Sequence, residues 1–309
     1  MIKVEEVASE GVNKNRPSII SAEQRDAIRR DRWIEYAAAS KILALLENIF
    51  DQPKSIRPPC AMIVGETNTG KTSIAREFQH RHTPQRSADE TDTKHPVVFV
   101  ETPPGPFLGE FYGGLLRAVN AAVPETLSRQ RAETQILNLF PAIGVRMIFV
   151  DEIHNILPGS RDQRTIFLNG LKFLTNSLQI PIVVIGTRQA ESAFQTDQQF
   201  GSRFEPVRVP IWQPGEHYGK FIQTYVTSSG FDMDKSFKTK RITESIQSRT
   251  KGRTGDTLKL LRYAMYRSLG NGTNCLHASI LDEMEFVSVH ARRAKANETR
   301  RQELNIRRQ

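Results

Sequence analysis

The stretch that constrains this chain most is "CAMIVGETNTGKTSIAREFQHRH", residues 60–82. Five apolar residues run into a glycine, which predicts a buried strand. A polar loop bracketed by Gly65 and Gly70 follows, and then a helix. Four later runs read as strands: "HPVVFVET" (95–102), "VRMIFVDE" (145–152), "IPIVVIGT" (180–187) and "EPVRVPIW" (205–212). Helical spacing separates them, as in "PFLGEFYGGLLRAVNAAV", "LSRQRAETQILNLFPAIG" and "RTIFLNGLKFLTNSL". Strands alternating with helices predict an α/β fold, a parallel sheet with helices on both faces.

Upstream, "SAEQRDAIRRDRWIEYAAASKILALLENIF" reads as one helical stretch with Ser21 as its cap. From Gln213 onward the apolar spacing is helical and no strand signal is apparent, which predicts a small all-helical lid domain. The expected divisions are a mobile arm (1–20), a helical region flanking the nucleotide site (21–57), the sheet domain (58–212), the lid (213–290) and a basic tail (291–309).

"GETNTGKTS", residues 65–73, fits G-x-x-x-x-G-K-[ST]. Glycines let backbone N–H groups turn inward around a phosphate. Gly65, Glu66, Thr67, Asn68, Thr69, Gly70, Lys71, Thr72 and Ser73 are therefore candidate nucleotide contacts. Lys71 is placed to reach the β- and γ-phosphates, and Thr72 to put its hydroxyl on Mg²⁺. The bland alternative is a glycine-rich turn that binds nothing. The strand ending in Asp151 and Glu152 weighs against it, because ligands bind at the carboxyl ends of strands in open α/β sheets. Asp151 would hold Mg²⁺ through water, and Glu152 would orient or deprotonate an attacking water. A second acid suits hydrolysis of ATP, and it disfavours a small-molecule kinase or a non-hydrolysing scaffold.

Thr187 ends the fourth strand, where it would touch the γ-phosphate or the lytic water, or simply cap the strand. Arg203, just before the last strand, would neutralise transition-state charge at a neighbouring subunit's nucleotide, or form a surface ion pair. Trp33 and Tyr36 would pack on the adenine or in plain core. In "GRTGDTLKLLRYA", a G-D-x-R lid pattern has Leu258 in place of arginine, which leaves Arg253 or Arg262 as a substitute, or a lid with no arginine sensor. The seven histidines form no ligand set, and His154, in "DEIH", lacks the other helicase motifs and receives no role.

Net charge is +9, of which residues 291–309 carry +5. This permits a polyanion partner. Candidate phosphate contacts are Arg129 and Arg131 in "SRQRAE", Arg161 and Arg164 in "PGSRDQR", and the tail itself. No apolar run is long enough to span a bilayer, the first residues lack the apolar core of a signal peptide, and two distant cysteines fit a reduced, cytoplasmic protein.

"GETNTGKTSIAREF", "DEIHNILPGSRDQRTIFLNGLKFL", "IPIVVIGTRQA" and "RFEPVRVPIW" together resemble the TniB family, AAA+ ATPases encoded by bacterial transposons and related to TnsC. The resemblance spans roughly residues 20–215. It implies a regulator rather than a transposase. Such a protein binds ATP, self-associates into a ring or helical filament on double-stranded DNA, and recruits or activates a DDE-type transposase with a TniQ-like protein. A helicase loader or replication initiator of the same fold would need the same sites.

Overall fold

A computed structural model describes residues 21–83, 94–124, 127–195 and 198–286. The expected N-terminal arm and basic tail lie outside the described residues. The described chain divides into two compact units. One is Trp33–Gln213 with Lys251–Asp256. The other gathers the described residues up to Arg32, Pro214–Thr250 and those from Thr257 onward.

In chain order, the elements begin with α1 (Ala22–Arg29), α2 (Ala37–Phe50), β1 (Cys60–Val64), α3 (Lys71–Arg81), β2 (Val97–Glu101), α4 (Leu108–Ala118) and α5 (Arg129–Ala142). Then come β3 (Met147–Asp151), a 3₁₀ turn (Ile153–Ile156), α6 (Arg161–Leu178), β4 (Ile182–Gly186), α7 (Arg188–Gln195), α8 (Gln198–Gly201) and β5 (Phe204–Arg208). After these the chain forms α9 (Glu216–Ser228), β6 (Asp232–Met233), α10 (Lys240–Thr250), α11 (Thr254–Gly270), β7 (Cys275–Leu276) and α12 (Ala278–Asp282).

The first unit is built on a five-stranded parallel sheet ordered β2-β3-β4-β1-β5. Its strands are apolar because both faces are covered, and the period of two divides each strand between two cores. Cys60, Met62 and Val64 of β1 pack with Ile148, Val150, Ile182 and Val184 under α4, α5 and α6. Ala61 and Ile63 pack with Met147, Phe149, Val183 and Ile185 under α2 and α3. β5 is an edge strand, which is why it tolerates Pro206.

The second unit is helical except for β6 and β7, which pair in parallel over two residues each. Strands that short carry no alternation, so periodicity cannot signal them. The expectation of one helix through residues 21–50 is corrected: residues 30–36 are not helical. Ser21 and Gln24 form a capping box on α1, but its C-terminal end is closed by Arg32, whose guanidinium takes the Ala27 and Arg30 carbonyls. α1 belongs to the second unit and α2 to the first. α12 ends at Asp282, and residues 284–286 are not helical.

Candidate nucleotide site

The loop from Gly65 to Gly70 joins β1 to α3, at the carboxyl edge of the sheet. Its glycines are there for two different reasons. A Cβ on Gly65 would lie 2.9 Å from Thr69 Oγ1 and 3.1 Å from the Val209 carbonyl oxygen. Gly70 caps α3 at φ 92°, in the left-handed region. Thr69, buried, donates its hydroxyl to the Glu66 carbonyl at 2.8 Å, which holds the turn. Lys71 folds back over the loop and donates to the carbonyls of Gly65 (3.1 Å) and Glu66 (2.8 Å). Burial pushes the Lys71 ammonium below its ordinary pKa, and the carboxylates of Glu152, Asp151 and Glu66 oppose that shift. Thr67, Thr72 and Ser73 are exposed.

β3 brings Asp151 to the same edge. Thr72 donates its hydroxyl to Asp151 Oδ2 at 2.8 Å, and the Glu152 N–H donates to Oδ1 at 2.8 Å. Asp151 is thus buried yet fully oriented. A hydroxyl beside a carboxylate is the all-oxygen donor pair that suits Mg²⁺. Among the described residues no group of three or more His, Cys, Asp or Glu could hold a metal ion. An ion here would therefore complete its shell with phosphate and water, as Mg²⁺ does in phosphoryl-transfer sites. Glu152 stands at φ 53°, left-handed for a non-glycine residue, the kind of strain that clusters at functional sites. Its Oε2 lies 3.0 Å from Nδ1 of His154. Motif reading gave His154 no role. The 3₁₀ turn after β3 is what folds it back onto the acid.

Thr187 follows β4, which adjoins β1. Its Oγ1 is buried and has no hydrogen-bond partner among the described residues, so it does not cap the strand. Tyr36 and Trp33 both pack against the core beneath α2 and α3. Tyr36 also reaches the loop: its hydroxyl lies 3.9 Å from where a Gly70 Cβ would stand. Burial pushes the Tyr36 phenol up to about 12, against an opposing hydrogen bond with Thr254. Trp212 lies 4.9 Å from Tyr36 between ring centroids and donates Nε1–H to Thr254 Oγ1 at 3.1 Å. Trp212 was not legible as a site residue, because nothing in its own neighbourhood in the sequence marks it; Thr254 lies within "GRTGDTLKLLRYA", which marks a lid by its arginines and not by this threonine.

Of the two candidate lid arginines, Arg253 touches the phosphate loop, with Nη2 3.5 Å from Glu66 Oε2. Arg262 instead binds Tyr225 Oη (2.8 Å) and Asp31 (2.7 Å) in the second unit. Arg203 is brought to the other end of the sheet. Phe204 pairs with Cys60 at the start of β1, so Arg203 precedes β5 at the amino edge, away from its own phosphate loop. Burial raises the Cys60 thiol pKa, and the nearby Arg203 charge is among the influences opposing that shift. Arg203 is half-buried and forms no ion pair among the described residues.

Helices α5 and α6 each connect to a strand at their C-terminal end, so both begin at the carboxyl edge of the sheet. Arg129, Arg131 and Arg161 are exposed there. Arg164, half-buried, donates to the Leu157 carbonyl at 3.3 Å.

A glycine-bracketed β–α loop, an acid pair ending a strand two places away and a polar tip on the strand between define a P-loop ATPase of the AAA+ class. The fold has relatives among solved structures. The ORC2 protein of Aeropyrum pernix (ADPNP–ADP complexes) matches with a TM-score of 0.61 at 13% identity, covering 83% of this chain and 70% of that one. The ORC1 protein of Aeropyrum pernix in complex with DNA matches at 0.58 and 16%, covering 84% and 67%. A single-residue variant of Thermotoga maritima RuvB matches at 0.53 and 14%, covering 83% and 72%. No curated protein matches the chain. A family model described as "Bacterial TniB protein" matches residues 24–214. The chain belongs to the TniB family, transposon-encoded AAA+ ATPases.

Proposed function

We propose that this ATPase binds Mg²⁺–ATP at the Gly65–Ser73 loop, assembles as a ring or filament on double-stranded DNA, and there recruits or activates a DDE-type transposase with a TniQ-like protein. The observation that carries the catalytic half is the 2.8 Å bond between Thr72 and Asp151, with Glu152 next in the chain. It joins the phosphate loop and the acid strand into one site. Lys71 neutralises the β- and γ-phosphates. Thr72 and Asp151 would hold Mg²⁺, which when bound would screen phosphate charge. Glu152 orients the attacking water and accepts its proton. Thr187 offers its hydroxyl to the γ-phosphate or to that water. Trp33 and Tyr36 flank the base, and Arg203 serves the nucleotide of a neighbouring copy.

Family membership supports the transposition half of the reading. Electron microscopy of the protein with ATP, Mg²⁺ and duplex DNA, followed by pull-down of the transposase, tests it. Ordered assemblies on DNA that form with ATP and retain the transposase are expected. Assemblies that retain a replicative helicase and not the transposase would overturn it in favour of a helicase loader.

A further inference from the structure

The segment Arg253–Asp256 is distant in sequence from the phosphate loop but groups with the sheet unit. It touches that loop at two residues. Arg253 faces Glu66. Gly255 donates its N–H to the Asn68 carbonyl at 2.9 Å, and Asn68 Nδ2 donates to Asp256 Oδ1 at 3.0 Å. Asn68 stands at φ 68°, a left-handed conformation that asparagine adopts more readily than most residues but that still needs holding. Asp256 is fully buried, and Asn68 is its one side-chain hydrogen-bond partner among the described residues. A Cβ on Gly255 would fall 1.9 Å from Asn68 Oδ1, so the loop leaves no room for a side chain there.

We infer that Asp256 is a positioning residue for the phosphate loop: through Asn68 it fixes the left-handed turn that aims the loop's N–H groups at phosphate. Asp256 touches no phosphate itself. A buried acceptor with one donor ties the side chain of Asn68 from outside the loop, and the Gly255 N–H ties its backbone. The tie is between acceptor and donor, so it needs an oxygen at position 256 and not a charge. This inference rests on the reading of Gly65–Ser73 as the ATP site.

The test is a double-mutant cycle in the full chain, read as affinity for a fluorescent ATP analogue alongside the melting temperature without nucleotide. Asn68→Gly keeps the backbone conformation accessible and removes the amide. It and Asp256→Ala should each weaken ATP binding about tenfold, and the double variant should be no weaker than the worse single. Asp256→Asn, which keeps an acceptor oxygen, should stay within about threefold of the parent. Losses that multiply in the double variant, or an Asp256→Asn as weak as Asp256→Ala, would overturn the inference. Should Asp256→Ala not fold, Asn68→Asp decides. It sets carboxylate against carboxylate and should bind ATP poorly, and Asn68→Asp with Asp256→Asn reverses the bond and should recover affinity. No recovery would overturn the inference. Lys71→Ala separates the two readings. If it binds ATP like the parent, the loop is not the ATP site. If it fails to bind while the cycle is additive, only the role of Asp256 falls.

Discussion

At the scale of single residues, Glu152 is the most exacting position. Its backbone is left-handed, and its own N–H, with Thr72, already engages the two oxygens of Asp151. The two acids therefore divide the work: Asp151 is held, and Glu152 has an oxygen to give to water. Glu152→Gln keeps the shape but cannot take a proton. Phosphate release should fall by about 10²–10⁴-fold, while ATP affinity in an equilibrium titration stays within a few-fold. Normal turnover in this variant would assign the base elsewhere. Lys71→Ala removes the cation that folds over the loop, and ATP affinity should fall by about tenfold or more. An unchanged affinity would refute the loop assignment. That these residues gather at one edge of the sheet was legible in the sequence because the signals are local: a spacing of glycines, a lysine and a hydroxyl, and acids ending an apolar run. Thr254, Gly255 and Asp256 were not legible as contacts of the loop. Their meaning lies in pairings across more than 150 positions, such as Asn68 with Asp256, 188 apart in sequence.

At the scale of elements, the strands were the clearest signal. Burial on both faces demands unbroken apolar runs, and four of the five strands are such runs. The break between α1 and α2 was hidden because it depends on Arg32 reaching back to carbonyls of α1, which no periodicity encodes. Strand direction also separates Arg203 from its own site. β1 runs from Cys60, opposite Phe204, to Val64 at the phosphate loop, about 13 Å of strand. An arginine side chain is shorter than that, so Arg203 does not reach its own phosphate loop, and in the proposed assembly it serves a nucleotide held by another copy. Arg203→Ala should leave ATP binding intact and lower hydrolysis by about 10³-fold, the scale of an arginine acting in trans. Mixing Arg203→Ala with Glu152→Gln should restore part of the turnover, because some interfaces then pair an intact Glu152 with an intact Arg203. No recovery on mixing would mean that Arg203 acts only within its own fold.

At the scale of the whole molecule, the proposed assembly on DNA needs a surface to carry it. The chain carries +9, and more than half of that lies in residues 291–309. A basic tail raises affinity for any polyanion, through counterion release and without geometry. The carboxyl edge of the sheet offers something different. The first turns of α5 and α6 place Arg129, Arg131 and Arg161 there, exposed, at the same edge as the phosphate loop. Contacts at that edge would let nucleotide binding and DNA binding influence each other, as an assembly controlled by ATP requires. Arg164 is the weakest of the four candidates because one of its nitrogens already serves Leu157. The informative variant therefore replaces Arg129, Arg131 and Arg161 by glutamine and spares Arg164. It should bind ATP like the parent, bind duplex DNA of any sequence more weakly, and lose salt dependence. The slope of log affinity against log salt should shrink by about 0.9 for each phosphate contact removed, or nearly 3 for all three. Deleting 291–309 from the parent should lower DNA affinity while leaving its dependence on ATP in place. If the deletion abolishes DNA binding and the three substitutions are silent, the tail is the DNA-binding element, and the carboxyl edge of the sheet is free for protein partners.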